Sequence, residues 1–309
     1  MYNPPAYVWA ITIAGPTAIA ALACVVLYGG ADRAGLGRRR AALLAGAAAV
    51  VLGGWFVASA VIAGSGWYRS LPWLPVAAGG FLGILLALSR ISLVARALAA
   101  PGTASRLVGL HTFRVTGVFF LFYLALGQLP ALFALPAGLG DITAGVAASL
   151  VALRLSRGTG RRAALWFNAL GMTELAVAVA LGALTGFQLL NITPSSNPIS
   201  ELPLALIPTA DVPLLLVLHI TSMLSSSGRH GQRHQPSGSL LPRGRHPSCP
   251  ERPPHMTETE GEHIMIAADR SVTNVATERL RPATWFAGAS ASSAYSRQEH
   301  GLEHQRICR

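Results

Sequence analysis

The sequence predicts an all-α protein, a seven-helix transmembrane bundle with the N-terminus outside and the C-terminus cytoplasmic, followed by a disordered C-terminal tail. Three observations carry that prediction. Seven apolar stretches recur at about residues 8–29, 42–64, 72–93, 115–135, 138–153, 163–187 and 203–224, most of them near the roughly 20 residues that a helix needs to cross the hydrocarbon core. Arginine is concentrated in every second gap between them. At about Ser225 the composition changes abruptly, which divides the chain into a seven-span domain, 1–224, and a tail, 225–309.

Composition limits the functional classes. The 309 residues are 52% hydrophobic and 12% charged, with a mean hydropathy of +0.47; soluble domains carry about 25% charged residues. A formal charge of +11 invites a nucleic-acid partner, but the arginines lie mainly in short gaps between apolar segments. That distribution sets orientation in a bilayer, so lipid is the expected partner and nucleic acid is not. All 24 basic residues are arginine. Without lysine there is no Schiff base for retinal or pyridoxal and no P-loop lysine for a nucleotide, which excludes a light-driven pump and a self-contained ATPase. Cys24, Cys249 and Cys308 form no C-x-x-C pair, so neither a disulfide scaffold nor a thiolate metal site is indicated.

Taken in order, the N-terminal ten residues carry no charge, whereas a cleaved secretory signal has a positive region ahead of its apolar core. The first gap holds Arg33, Arg38, Arg39 and Arg40. The third holds Arg90, Arg96, Arg106 and Arg114, and the fifth Arg154, Arg157, Arg161 and Arg162. The second gap has only Arg69, and the fourth and sixth have no base. If all seven stretches cross, twelve of these thirteen arginines share one side, and the positive-inside rule makes it the cytoplasm of an inner-membrane protein. Trp67, Tyr68 and Trp73 fit an aromatic belt at the outer interface. Gly79 with Gly83, and Gly182 with Gly186, form small-x-x-x-small pairs that allow close helix approach, either within the chain or to a second copy or membrane partner. Pro136, Gly138 and Gly140 read as a tight turn between the fourth and fifth stretches, with Asp141 capping the next helix. Pro208 and Pro213 predict an irregular seventh helix.

The tail contains seven of the nine histidines, and only ten of its 85 residues are Leu, Ile, Val or Phe. That is too few to expect a core, so disorder is the expected state. A second reading takes it as the product of a shifted frame in GC-rich DNA. Its scattered histidines do not supply the three or four ligands of a zinc site.

Ionisable groups at membrane depth are where function is to be sought. Glu174 and Asp211 fall near the bilayer midplane on consecutive antiparallel helices, as a coupling pair for a proton or cation or as two protonated structural acids. Asn168 and Gln128 are candidate polar lining, and Asp141 at the outer mouth is either a cap or a cation attractor. His111 and His219 are the only histidines before the tail. They are read as ordinary residues near the cytoplasmic interface, His111 beside Arg114, or alternatively as axial ligands of one haem.

The run Phe133-Ala134-Leu135-Pro136-Ala137-Gly138-Leu139-Gly140-Asp141, then Phe167-Asn168-Ala169-Leu170-Gly171 and the Pro-rich segment ending in His219, resembles uncharacterised bacterial multi-pass membrane proteins over about residues 100–224. That resemblance implies an integral membrane protein and no particular activity. The leading expectation is a small ion-coupled transporter or permease using the intramembrane carboxylates. A non-catalytic membrane scaffold or accessory subunit is the alternative, and a bis-histidine haem protein a third. Hydrolase signatures such as H-E-x-x-H are absent, so no catalytic residue, resident cofactor or metal is assigned.

Overall fold

The computed structural model describes residues 6–227. The expectations for the tail fall outside them. Among the described residues every regular element is helical, with no strand. The chain opens with α1 (Ala6–Arg33) and α2 (Arg38–Gly64), turned back on each other through Gly35 and Gly37 at φ 74° and 80°, values that glycine adopts without steric cost. After a 3₁₀ turn at Trp67–Arg69 come α3 (Trp73–Ser89) and α4 (Ser92–Ala99), bent 81° from one another. The next crossing is continuous but irregular: α5 (Thr103–Leu110), a 3₁₀ stretch His111–Gly117, and α6 (Val118–Ala125). Then follow α7 (Ala131–Ser156), α8 (Arg161–Gly186), a π-helical turn at Ile207–Asp211, and α9 (Val212–Ser227).

Among the described residues, six helical runs are long and apolar enough to cross a membrane, and α3 with α4 makes a seventh only if the bent pair counts as one crossing. At about 1.5 Å per residue α3 alone spans roughly 25 Å, short of the ~30 Å hydrocarbon thickness. The number seven is therefore recovered in that coarser form. The irregular seventh segment is present as the π turn Ile207–Asp211, which contains Pro208 and is followed by Pro213.

One boundary differs from the expected one. The chain breaks at Leu126–Pro130, where Gly127 has φ 67°, and α7 begins at Ala131. Pro136 is inside α7, where it removes one backbone hydrogen bond without ending the helix. Asp141 accordingly caps nothing; it sits near the middle of α7.

The pattern of burial suits helices able to span a membrane. On α2, Leu43, Val50, Val57 and Val61 all point outward, while Ser59, Thr103, His111, Asn168, Thr185, Thr209, His219 and Ser222 are fully buried. Large apolar side chains on the outside, and hydroxyls and imidazoles buried beside the apolar core, depart from the usual soluble arrangement. The α9 crossing is the central one, 67% buried, against 11% for α2. Its Leu214, Leu215 and Leu218 pack with Ile19, Phe81 and Leu107. Trp55 stacks on Phe81 at 4.7 Å and donates Nε1–H to the Thr209 carbonyl at 2.8 Å. Pro213, four residues on, has no N–H to offer that carbonyl, and the Thr209 hydroxyl bonds Ser59 at 2.5 Å.

The expected small-residue contacts divide. Among the described residues, a methyl group at Gly79 or Gly83 would meet nothing within 4 Å, whereas one at Gly182 would lie 3.2 Å from Phe133. Trp67 and Trp73 are exposed as a belt requires. Tyr68 is not: it is buried and its hydroxyl bonds Ser59 at 3.2 Å.

Candidate functional site

The 3₁₀ stretch His111–Gly117 organises the centre of the bundle. At three residues per turn, positions three apart eclipse, so His111, Arg114 and Gly117 share one face. Each meets a different partner. Gly117 packs on Asp141 of α7, so closely that a Cβ there would collide with the Asp141 side chain. Arg114 is 1% exposed at its side chain and donates Nε–H to Asp141 Oδ1 at 2.7 Å. Its Nη2 donates to Glu174 Oε2, making a second ion pair from α8. A second glycine makes room for that carboxylate: a methyl group at Gly140 would stand 2.6 Å from Glu174 Oε1.

The expected location of Arg114 is thus overturned. It is not a gap arginine at the cytoplasmic surface but lies at the midpoint of the Thr103–Ala125 crossing, between two acids. Its position inside an otherwise apolar run was the available signal. The partner of Glu174 is Arg114 rather than Asp211.

Asp211 nevertheless belongs to the same neighbourhood. A small cavity of ≈ 30 Å³ is lined by Thr12, Arg114, Asp141 and Asp211, among others. Thr12 Oγ1, Arg114 Nη1 and Asp211 Oδ1 are buried there without a protein hydrogen-bond partner. Such a space has the size and polar lining to hold about one water, which would accept from Arg114 and donate to Asp211. Three acids and one guanidinium therefore converge, two acids directly and one across a gap.

The histidines form a separate layer. Both are fully buried, not interfacial, and their rings stack with centroids 3.8 Å apart and planes 24° apart. Axial haem ligands point their nitrogens at one iron from opposite sides of a porphyrin; two rings in face-to-face contact do not have that geometry. Asn168 fixes the pair. Its Nδ2 donates to the Ala164 carbonyl at 2.8 Å and to Ser222 Oγ at 3.3 Å, which leaves Oδ1 to accept from His219 Nδ1–H at 2.9 Å. Gly171 supplies the space, since a Cβ there would stand 2.6 Å from His219 Nε2. Asn168→Leu is expected to cost about 1–3 kcal/mol by stranding the buried His219 donor; an unchanged thermal unfolding midpoint would remove that role. Gln128 is placed in the α6–α7 break and lines neither cavity. Among the described residues no group of three or more His, Cys, Asp or Glu is arranged to hold a metal.

A larger cavity of ≈ 290 Å³ adjoins the acids. Asp141 and Glu174 are in its wall, and the rest is mostly apolar, from α3, α6, α8, α9 and the segment before the π turn. A helical bundle with membrane-crossing dimensions, closed around an arginine–carboxylate cluster beside an apolar cavity, is the class that fold and site define. The chain belongs to the family described as Domain of unknown function (DUF8737), which matches residues 71–225. That match holds Arg114, Asp141, Glu174, Asp211 and both histidines; Thr12 lies outside it. No curated protein matches the chain, and no solved structure does.

Proposed function

We propose that this is a small multi-pass transporter or permease of the cytoplasmic (inner) membrane, coupled to protons or another cation through Asp141, Glu174 and Asp211. One observation carries the reading. A single buried guanidinium faces three carboxylates, so one charge pair can be balanced internally and the remaining acids need protons or cations. Uncompensated charge in such a medium is expensive, and groups retained at that cost mark proton and ion pathways. A scaffold accounts for small residues on helix faces but gives no reason to keep four ionisable groups at mid-depth.

The proposed orientation, N-terminus outside and C-terminus cytoplasmic, follows from the remaining arginines. With Arg114 withdrawn into the bundle, eleven of the thirteen stand at the ends joined by the first, third and fifth connections. Arg33 Nη2 bonds Thr103 Oγ1 at 3.1 Å and Arg96 Nη2 bonds the Ala34 carbonyl at 3.3 Å, so the end of α1, α4 and the start of α5 meet at one face. Arg69 pairs with Glu201 at 3.2 Å at the other. The positive-inside rule assigns the first face to the cytoplasm.

The test uses proteoliposomes holding a trapped pH dye and a panel of small amphiphilic solutes added outside. At least one solute is expected to move protons with the intact chain and to do so at least about tenfold more slowly with Glu174→Gln, the loss typical of removing a positioned proton-transfer group. Equal proton movement with Glu174→Gln, or none with any solute, would reject the coupling.

A further inference from the structure

The ≈ 290 Å³ cavity carries a charge signature that selects its ligand. Its volume falls near the lower end of small-molecule sites. Phe120, Phe133 and Phe187 are in its walls together with leucine, alanine and glycine. The charged side chains lining it are Asp141 and Glu174, both acidic, while Arg114 and the two histidines are not among its lining residues. Each carboxylate commits one oxygen to Arg114, Asp141 through Oδ1 and Glu174 through Oε2. Each keeps its second oxygen, and the two side chains remain 18% and 20% exposed.

We propose that this cavity binds a compact apolar organic cation, a protonated amine or quaternary ammonium, with its charge against Glu174 and Asp141 and its hydrocarbon body among the phenylalanines. The argument is one of complementarity. Two acids against one guanidinium leave a single negative charge in the wall, which one ammonium cancels. An anion would meet that charge without access to Arg114. A neutral hydrocarbon would fill the volume but leave the carboxylates desolvated and uncompensated. The aromatic faces add attraction for a cation at short range. The specificity of the cavity stands on this geometry alone. That a proton takes the place of the bound cation rests on the transport reading above, and the groups facing that exchange are Arg114, Asp141 and Asp211.

The experiment uses the full chain in nanodiscs and radiolabelled benzyltrimethylammonium as the probe. Saturable binding is expected, displaced by the unlabelled cation but not by its neutral isostere neopentylbenzene or by phenylacetate. Glu174→Gln is expected to weaken it roughly 10- to 100-fold, as for one lost charge-assisted contact. Ala183→Trp, which enters the cavity from more than two helical turns beyond Glu174, is expected to abolish it. Displacement by neopentylbenzene as effective as by the cation, binding of phenylacetate, or no saturable binding of the probe would each overturn the assignment. A pH electrode in weak buffer separates the two claims. Proton release on binding supports exchange, whereas binding without release overturns the coupling and leaves the cation site standing.

Discussion

Arg114→Met is expected to destabilise the protein by about 3–5 kcal/mol, because it leaves Asp141 and Glu174 as buried carboxylates with their countercharge removed. Two ion pairs are lost at once. The cost lies in what remains, not in what the pair contributed. Removing the rest of the cluster should therefore restore stability: the triple variant Arg114→Met, Asp141→Asn, Glu174→Gln is expected to recover most of the loss while moving no protons. Reversible unfolding in mixed micelles reads both. A triple variant as unstable as the single one would mean that packing around the long arginine side chain, and not charge, holds this region together.

Gly117→Ala should have the next largest effect. A Cβ at this position would collide with the Cβ and carboxylate of Asp141, and the short aspartate side chain cannot swing its far end away as a glutamate can. Either the 3₁₀ stretch backs off α7 or Asp141 rotates and releases Arg114 Nε. Overpacking of this kind costs typically about 1–3 kcal/mol, and the second route also strands a buried ion. The same substitution at Gly140 meets the flexible Glu174 side chain, which has more freedom to give way. The expected order of unfolding midpoints is intact chain, then Gly140→Ala, then Gly117→Ala; a reversed order would show that the glutamate is the more rigidly held acid.

Much of the fold was legible because lipid imposes length. A helix must be about 20 apolar residues long to cross, and most of the apolar stretches met that condition, so the six or seven helices able to span follow from composition. Where two crossings meet was not legible. Pro136, Gly138 and Gly140 have the composition of a turn, yet they lie inside α7 because Gly138 is packed against Leu121 and Gly140 against Glu174. A glycine that admits a neighbour and a glycine that reverses the chain look alike in one sequence. The shifted boundary then displaced the chemistry. Asp141 moved from a helix end to the bundle centre, and Arg114 from a surface gap to its partner. Glu174 and Asp211 were recognisable as intramembrane acids from their depth. That their neighbourhood includes an arginine sixty residues from Glu174 in the chain is a fact of packing. The histidines show the same limit: their common level was readable, their stacked rings were not.

Cysteine accessibility tests the central placement of Arg114 most directly. In a chain with Cys24, Cys249 and Cys308 replaced by serine, Arg38→Cys, Arg69→Cys and Arg114→Cys are made singly. Each is exposed in sealed vesicles of known sidedness to a membrane-impermeant maleimide applied to one face or the other. Labelling is expected of Arg38→Cys from the cytoplasmic face only, of Arg69→Cys from the outer face only, and of Arg114→Cys from neither. Labelling of Arg114→Cys from the cytoplasmic face as readily as Arg38→Cys would return that arginine to the surface and contradict the buried cluster.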